Sequence, residues 1–135
     1  MAPTFSYRFA LIALVLLATP GCSSMAIHDA YLKDHLEPAI LIKHDAIMGC
    51  YTTNIAEPAK GSRPPGDVVL NFVLYPVETK TEVRDAHVSK NDFQNENLGT
   101  CLIVEMKKLA LPVIDNHKDL DMEYTFRFSE TREEN

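Results

Sequence analysis

The sequence predicts a small α+β domain of two layers, in which two helices cover one face of a small antiparallel sheet. Apolar residues recur at helical spacing in two stretches, over residues 37–55 and 98–109. Apolar and polar residues alternate in other stretches, most clearly in MEYTFRFSE at 122–130, which is typical of strands. The predicted order is helix, strand, strand, helix, strand, and the two layers bury each other's apolar faces.

Length and charge limit the classes of protein to consider. The chain has 135 residues and a formal net charge of −6, which suits a single acidic domain. An acidic chain with scattered lysines lacks the basic surface that nucleic acid requires, so we expect no nucleic-acid partner. We expect a signal peptide at 1–21, a lipidated N-terminus and short tether at 22–35, the domain at 36–129 and a solvated acidic tail at 130–135.

The N-terminal segment predicts export. The stretch FALIALVLLA at 9–18 is uncharged and shorter than the roughly 20 residues that span a bilayer, as in the core of a signal peptide. Small and turn-forming residues then lead into Cys22. This resembles the lipobox of bacterial lipoproteins, although Thr19 stands where leucine is usual. The alternatives are an ordinary signal peptide cut nearby and a short membrane anchor.

The lipobox resemblance implies where the protein is held. Cys22 would be diacylated and become the mature N-terminus, and two acyl chains anchor a protein stably to a membrane. Ser23 follows, at the position where aspartate would favour retention in the inner membrane. We therefore expect a lipid-anchored protein at the periplasmic face of the outer membrane.

The first helix is predicted over residues 37–55. Pro38 fits its first turn, where proline costs no hydrogen bond. The helix ends before EPAKGSRPPG at 57–66, which predicts a loop. Apolar residues follow one another at steps of four and seven on one face, at Leu36, Ile40, Ile47, Tyr51 and Ile55.

Two strands are predicted next. DVVLNFVLYP at 67–76 is rich in β-branched and aromatic residues and has one strongly apolar face. VETKT at 77–81 predicts a turn, and a second strand follows over 82–89. The apolar spacing slips by one residue between Val83 and Ala86, which indicates a β-bulge.

The second helix and a last strand complete the domain. Asn95 or Asn97 can cap the helix, and Leu111-Pro112 predicts its end. Residues 113–121 predict a loop. The last strand places Met122, Tyr124, Phe126 and Phe128 on one face, and Glu123, Thr125 and Arg127 on the other.

Two of the three cysteines lie on the predicted helices. If Cys22 carries lipid, Cys50 and Cys101 remain, and the oxidising envelope allows them to pair. A bridge would join the two helices over the sheet. The alternative is two separate buried thiols. We expect no zinc site, because the chain has no C-x-x-C motif.

The succession of these motifs resembles the AgmX/PglI C-terminal domain of envelope proteins, which is itself similar to the C-terminal domain of TonB. The resemblance covers about residues 36–129 and implies a TonB C-terminal-like fold. It also implies binding of a partner peptide as an added strand, as the TonB domain binds its receptor. The matching residues are Ile47, Cys50, Tyr51, Val69 to Leu74, Val83, Cys101, Leu102, Leu111, Pro112, Tyr124 and Phe126.

The last strand is accordingly the predicted binding surface for an envelope protein or peptide. An exposed sheet edge accepts a partner strand through main-chain hydrogen bonds. The alternative is that a loop or the tail covers this edge. The predicted contact residues are Met122, Glu123, Tyr124, Thr125, Phe126, Arg127 and Phe128.

We found no motif for catalysis, and we expect no catalytic residue, metal or cofactor. The chain has no G-x-S-x-G, H-E-x-x-H or phosphate-binding glycine loop. Asp115, Asp119 and Asp121 lack the glycine and glutamate of a calcium loop. Most of the histidines are expected at the surface rather than on a metal; they are His28, His35, His44, His87 and His117.

The predicted function is therefore a non-catalytic, lipid-anchored interaction module of the envelope. One alternative is an envelope enzyme or accessory hydrolase, which would need His44 or His87 within hydrogen-bond reach of a carboxylate in a pocket. A third hypothesis is a structural lipoprotein whose partner is peptidoglycan or a subunit of a larger machine.

Overall fold

The fold is α+β, as predicted, and contains a four-stranded antiparallel sheet with helices packed on it. A computed structural model describes residues 22–55 and 63–129, with side chains from residue 26 onward. The predicted signal peptide at 1–21, residues 57–62 of the predicted loop at 57–66 and the predicted tail at 130–135 lie outside these residues. The elements are α1 (Cys22–Tyr31), α2 (Glu37–Ile42), α3 (His44–Asn54), β1 (Gly66–Val77), β2 (Lys80–Asn91), α4 (Glu96–Lys107), β3 (Leu111–Pro112) and β4 (Leu120–Phe128).

The chain is helical from Cys22, whereas the sequence analysis assigned no helix to the lipidated N-terminus and tether expected over 22–35. A five-residue π-helical segment, Leu32–Leu36, joins α1 to α2. The wider turn places Tyr31 and Leu36, five positions apart, in the same core cluster. The Tyr31 hydroxyl donates a hydrogen bond to the Pro112 carbonyl over 2.6 Å, which fixes the end of α1 beside β3. A tether would need exposed side chains, whereas Tyr31 is buried.

The helix predicted over 37–55 is two helices. Lys43 separates α2 from α3 with φ −89° and ψ 10°, and its amide donates to the Ile40 carbonyl. The interval of seven residues between Ile40 and Ile47 spans this break. Both isoleucines are buried, so the apolar spacing survives the change of direction.

The strands β1 and β2 form a long hairpin closed by a turn at Glu78 and Thr79. Both strands extend slightly beyond their predicted limits. The predicted bulge is confirmed, because Asn71 pairs with His87 whereas Val73 pairs with Arg84, which leaves one extra residue in β2. Asp85 lies at this bulge with a positive φ of 53°. A second register shift in β2 lies opposite Val69 and Leu70.

The core lies between the inner face of the sheet and the helices. β1 contributes every second residue to it: Val68, Leu70, Phe72 and Leu74. At the end of α3 the Tyr51 ring stacks on Phe128 of β4 with centroids 4.9 Å apart. Full burial of an apolar side chain contributes roughly 1.5–3 kcal/mol, so this core is the main source of stability.

The helix α4 packs closely on the sheet and on α3. A Cβ atom on Gly99 would lie 2.6 Å from Val88 Cγ2, so only glycine allows α4 to approach β2 at this point. Asn95 caps α4, as one of the two predicted alternatives, by accepting from the Leu98 amide over 2.9 Å. Its side-chain amide also donates to the Asn54 carbonyl over 3.0 Å, which joins the start of α4 to the end of α3.

A disulfide joins Cys50 of α3 to Cys101 of α4, with 5.7 Å between the Cα atoms. The predicted pairing is therefore confirmed, and the alternative of two separate thiols is wrong. Cys50 is 2% exposed and belongs to the core cluster. The bond closes a loop with a sequence separation of 51 residues that contains the β1–β2 hairpin.

Removal of the disulfide should lower the free energy of unfolding by about 2–5 kcal/mol, because the unfolded chain gains entropy when the loop opens. Urea denaturation of oxidised wild type should be compared with Cys50→Ser/Cys101→Ser and with reduced wild type. The two chains that lack the bond should unfold at similar urea concentrations. If oxidised and reduced wild type were equally stable, the disulfide would not stabilise the fold.

Candidate functional site

The two edges of the sheet differ in how far they are paired. The strand order is β3-β2-β1-β4, so β4 forms one edge over its nine residues. At the other edge β3 pairs only with Lys80 and Thr81 of β2. Main-chain groups along an unpaired edge can accept a further strand.

The two edges also differ in regularity. β4 pairs with β1 from Gly66–Phe128 to Leu74–Leu120 without a register shift. β2 contains two register shifts and several exposed cations, namely Lys80, Arg84 and Lys90. Bulges and exposed lysines are features that prevent edge pairing in natural sheets. β4 is therefore the edge that is better suited to accept a partner strand.

The seven predicted contact residues divide between the faces of β4. Met122, Phe126 and Phe128 are buried in the core, and Tyr124 is half-buried beside them. Glu123, Thr125 and Arg127 lie exposed on the outer face. Side-chain readout of a partner strand would therefore use the outer face and Tyr124, whereas the three buried residues hold β4 in place.

A groove of about 310 Å³ runs between β4 and the helices α2 and α3. Its apolar wall includes Leu41, which is 71% exposed, and Met48. Glu37 adds a carboxylate to its lining. Among the described residues no strand pairs with the outer side of β4, and this edge lies next to a partly apolar channel that a partner's side chains could enter.

Tyr124 lies in this groove, and its phenol is affected by its surroundings. Burial raises the pKa of Tyr124 above the ordinary value of 10.0, and the negative charge of Glu37 raises it further. The phenol therefore stays protonated at neutral pH and can donate a hydrogen bond within the groove.

A second cleft, of about 510 Å³, lies on the sheet near the bulge of β2. Asn71, Asp85 and His87 line it, together with His28 of α1. The Asn71 Oδ1 atom is buried and has no hydrogen-bond partner among the described residues. The His87 Nδ1 atom lies 3.1 Å from the main-chain carbonyl oxygen of Asp85, which is not a carboxylate.

The other predicted candidates for catalysis or metal binding lie apart. His44 Nδ1 and Asp45 Oδ1 are 3.5 Å apart, but both side chains are largely exposed to solvent. The His35 ring packs on Tyr31 with centroids 5.0 Å apart. Within 22–55 and 63–129, no group of three or more His, Cys, Asp or Glu residues is placed to hold a metal ion. The loop residues Asp115, His117 and Asp119 are exposed.

The predicted lipidation site lies at the start of α1. Cys22 is the first residue of that helix, and the segment that would precede it in the precursor lies outside the described residues. Where the structure describes the chain, none of its helices is both long and apolar enough to cross a membrane.

A scan against models of protein families found no match to the chain, and searches of curated proteins and of solved structures found no significant match. The resemblance to the AgmX/PglI and TonB C-terminal domains therefore stays a prediction from the sequence motifs.

Sequence reasoning located the edge strand but missed the groove beside it. The signal for the groove was the pair Leu41-Ile42, two apolar residues that lie off the predicted buried face of the helix. Both are strongly exposed in the structure. Leu41 lines the groove, and the helix break at Lys43 separates the two helices that flank it. The spacing of apolar residues did not predict this break.

Substitution Glu37→Gln should lower the pKa of Tyr124, because it removes the neighbouring negative charge and leaves the burial unchanged. Absorbance of phenolate at 295 nm against pH gives the titration, and Tyr124→Phe identifies the band. Asp45→Asn is the matched control, since Asp45 is fully exposed on the neighbouring helix.

The sign of the stability change follows from the same shift. The folded pKa lies above the unfolded value, so this contribution to stability is complete below pH 10 and is lost as the pH rises further. Identical titration curves for wild type, Glu37→Gln and Asp45→Asn would contradict the placement of Glu37 beside the phenol.

Proposed function

We propose that the protein is a non-catalytic, lipid-anchored module of the bacterial envelope that binds a protein partner by adding one of the partner's strands to β4. The observation that carries this proposal is the edge itself: nine residues, regularly paired with β1 and free of bulges. Such an edge offers main-chain donors and acceptors at strand spacing, and the groove beside it can receive alternate side chains.

The finer interpretation of the fold belongs to the same proposal. A helix, a β-hairpin, a second helix and a final strand at the sheet edge are compatible with a TonB C-terminal-like domain, in which a receptor peptide pairs with an edge strand. The short strand β3 is an addition to the predicted α-β-β-α-β order. The disulfide supports a location outside the cytoplasm, because such bonds persist in oxidising compartments.

The anchor is the second part of the proposal. Cys22 follows an apolar stretch and Gly21, and two acyl chains on this cysteine would hold the domain at the periplasmic face of the outer membrane. Partners would then be envelope proteins or peptides.

Substitution Cys22→Ser should abolish lipid attachment and leave a chain that no longer fractionates with the outer membrane. Intact mass of the membrane-purified wild type should show a chain that begins at Cys22 and carries acyl chains. Ser23→Ala is the matched control and should keep the wild-type mass shift of the acyl chains. If Cys22→Ser stayed in the outer-membrane fraction with an unchanged mass shift, the anchor would be elsewhere.

Photocrosslinking tests the edge. A photoreactive residue at Thr125, on the exposed face of β4, should capture a partner in living cells, whereas the same residue at Ser89 on the opposite edge should not. A synthetic peptide of the captured segment should then protect the β4 amides from hydrogen exchange. Peptide binding without protection of β4 would show that another surface carries the interaction.

A further inference from the structure

The edge strand β4 is complementary to itself. We propose that two copies of the chain pair antiparallel along β4, with Tyr124 of one copy opposite Tyr124 of the other. This inference rests on the proposed function, since it uses the same edge, and it names a second copy of the chain as the strand that occupies it. The dimer joins two four-stranded sheets into one continuous sheet.

The alternation of side chains restricts the possible registers. Even-numbered residues of β4 face the core and odd-numbered residues face outward. In a continuous sheet related by a two-fold axis, a residue must lie opposite one on the same face. The numbers of two opposed residues therefore sum to an even value. Only a register with Tyr124 at the axis pairs the whole of β4. Leu120 of each copy then lies opposite Phe128 of the other.

This register brings opposite charges together. Arg127 of each copy lies opposite Asp121 of the other, and Glu123 and Asp119 occupy the diagonal positions next to that aspartate. The Arg127 side chain is 83% exposed, and its ion pair with Asp67 in its own chain is long, at 4.0 Å. It can therefore turn toward a second copy at little cost. Opposite charges in directly opposed positions stabilise antiparallel strand pairs.

The neighbouring registers are poorer. With the axis at Glu123, the two Glu123 carboxylates would face each other, and like charges in opposed positions are destabilising. With the axis at Thr125, Glu123 would face Arg127. However, only residues 122–128 of the two strands would overlap, and Asp121 would lie opposite residue 129, which follows the end of β4. The Tyr124 register combines the full overlap with two ion pairs.

The apolar surface beside the edge supports the same arrangement. The groove between β4 and α2 carries Leu41 on the inner side of the sheet. In the dimer both helical layers lie on this side, so each copy's groove faces the other across the axis. Tyr124 from both copies lies at the centre, and Leu41 gains apolar neighbours instead of water. A long, regular edge with exposed apolar flanks is otherwise prone to uncontrolled association.

Charge exchange tests the dimer in a way that separates it from simple loss of folding. Asp121→Arg places two cations opposite two cations, and Arg127→Asp places four carboxylates together. Each variant alone should dimerise at least about tenfold more weakly than wild type in sedimentation of the lipidated chain in detergent. An equimolar mixture of the two variants should dimerise as well as wild type, because every opposed pair is then Arg with Asp. The double variant Asp121→Arg/Arg127→Asp should also recover.

Lys107→Asp is the matched control for Arg127→Asp, since it makes the same change in charge on the exposed surface of α4 and should leave the dimer intact. The Tyr124 register would be overturned if none of these substitutions changed dimerisation. It would also be overturned if Glu123→Arg, and not Asp121→Arg, restored the dimer that Arg127→Asp weakens. A monomeric wild type whose β4 amides are protected by the crosslinked peptide would overturn the dimer and leave the proposed function standing. A dimer whose β4 amides no envelope peptide protects further would support the dimer alone.

Discussion

The burial of one face of β1 is the constraint on which the rest of this structure depends. β1 pairs along its length with β2 on one side and β4 on the other, and its inner residues lie under the helices. Because β1 is satisfied on both sides, it carries no free edge. Within 22–55 and 63–129, the unpaired main-chain groups of the sheet lie on β2 and β4, and these two strands differ in sequence and regularity.

The two outer strands differ in regularity, so the two edges of the sheet are not equivalent. β2 is interrupted twice, and its bulge turns Asp85 into a left-handed conformation that ordinary strands avoid. β4 keeps a strict alternation, and the stacking of Tyr51 on Phe128 holds its end against α3. The disulfide and the Asn95 cap then fix α4 relative to α3. The disulfide and this cap therefore cross-link the helical layer that covers the sheet, and the binding proposal depends on that rigidity.

Much of this arrangement could be predicted from the sequence, because strong patterns dominate it. Alternation located β1 and β4, the slip after Val83 located a bulge, and the polar residue Asn95 located a helix start. The cysteines fell on facing helices, so their pairing could be expected as one of two alternatives. In each case the local pattern and the tertiary packing demanded the same residue types.

The predictions that needed correction concern features that depend on distant contacts. The helix that begins at Cys22 was not predicted from the sequence. It is held by single contacts such as Tyr31 with Pro112, a residue 81 positions away. The break at Lys43 leaves the apolar spacing intact and so gives no signal in the pattern. The two-residue strand β3 is too short for alternation to be visible. The groove beside β4 lies between that strand and the two helices that meet at Lys43, so it too depends on contacts between distant parts of the chain.

The helix α1 would limit how far the domain of an anchored protein can move from its anchor. A flexible linker of about a dozen residues would let the domain wander over roughly 20 Å and tumble in any direction. A ten-residue helix has a fixed length of about 15 Å, and its far end is clamped where Tyr31 meets β3. If acyl chains hold Cys22, the helix acts as a short rigid spacer between the bilayer and the domain. The distance between the anchored cysteine and β4 is then set by the fold and not by a flexible linker.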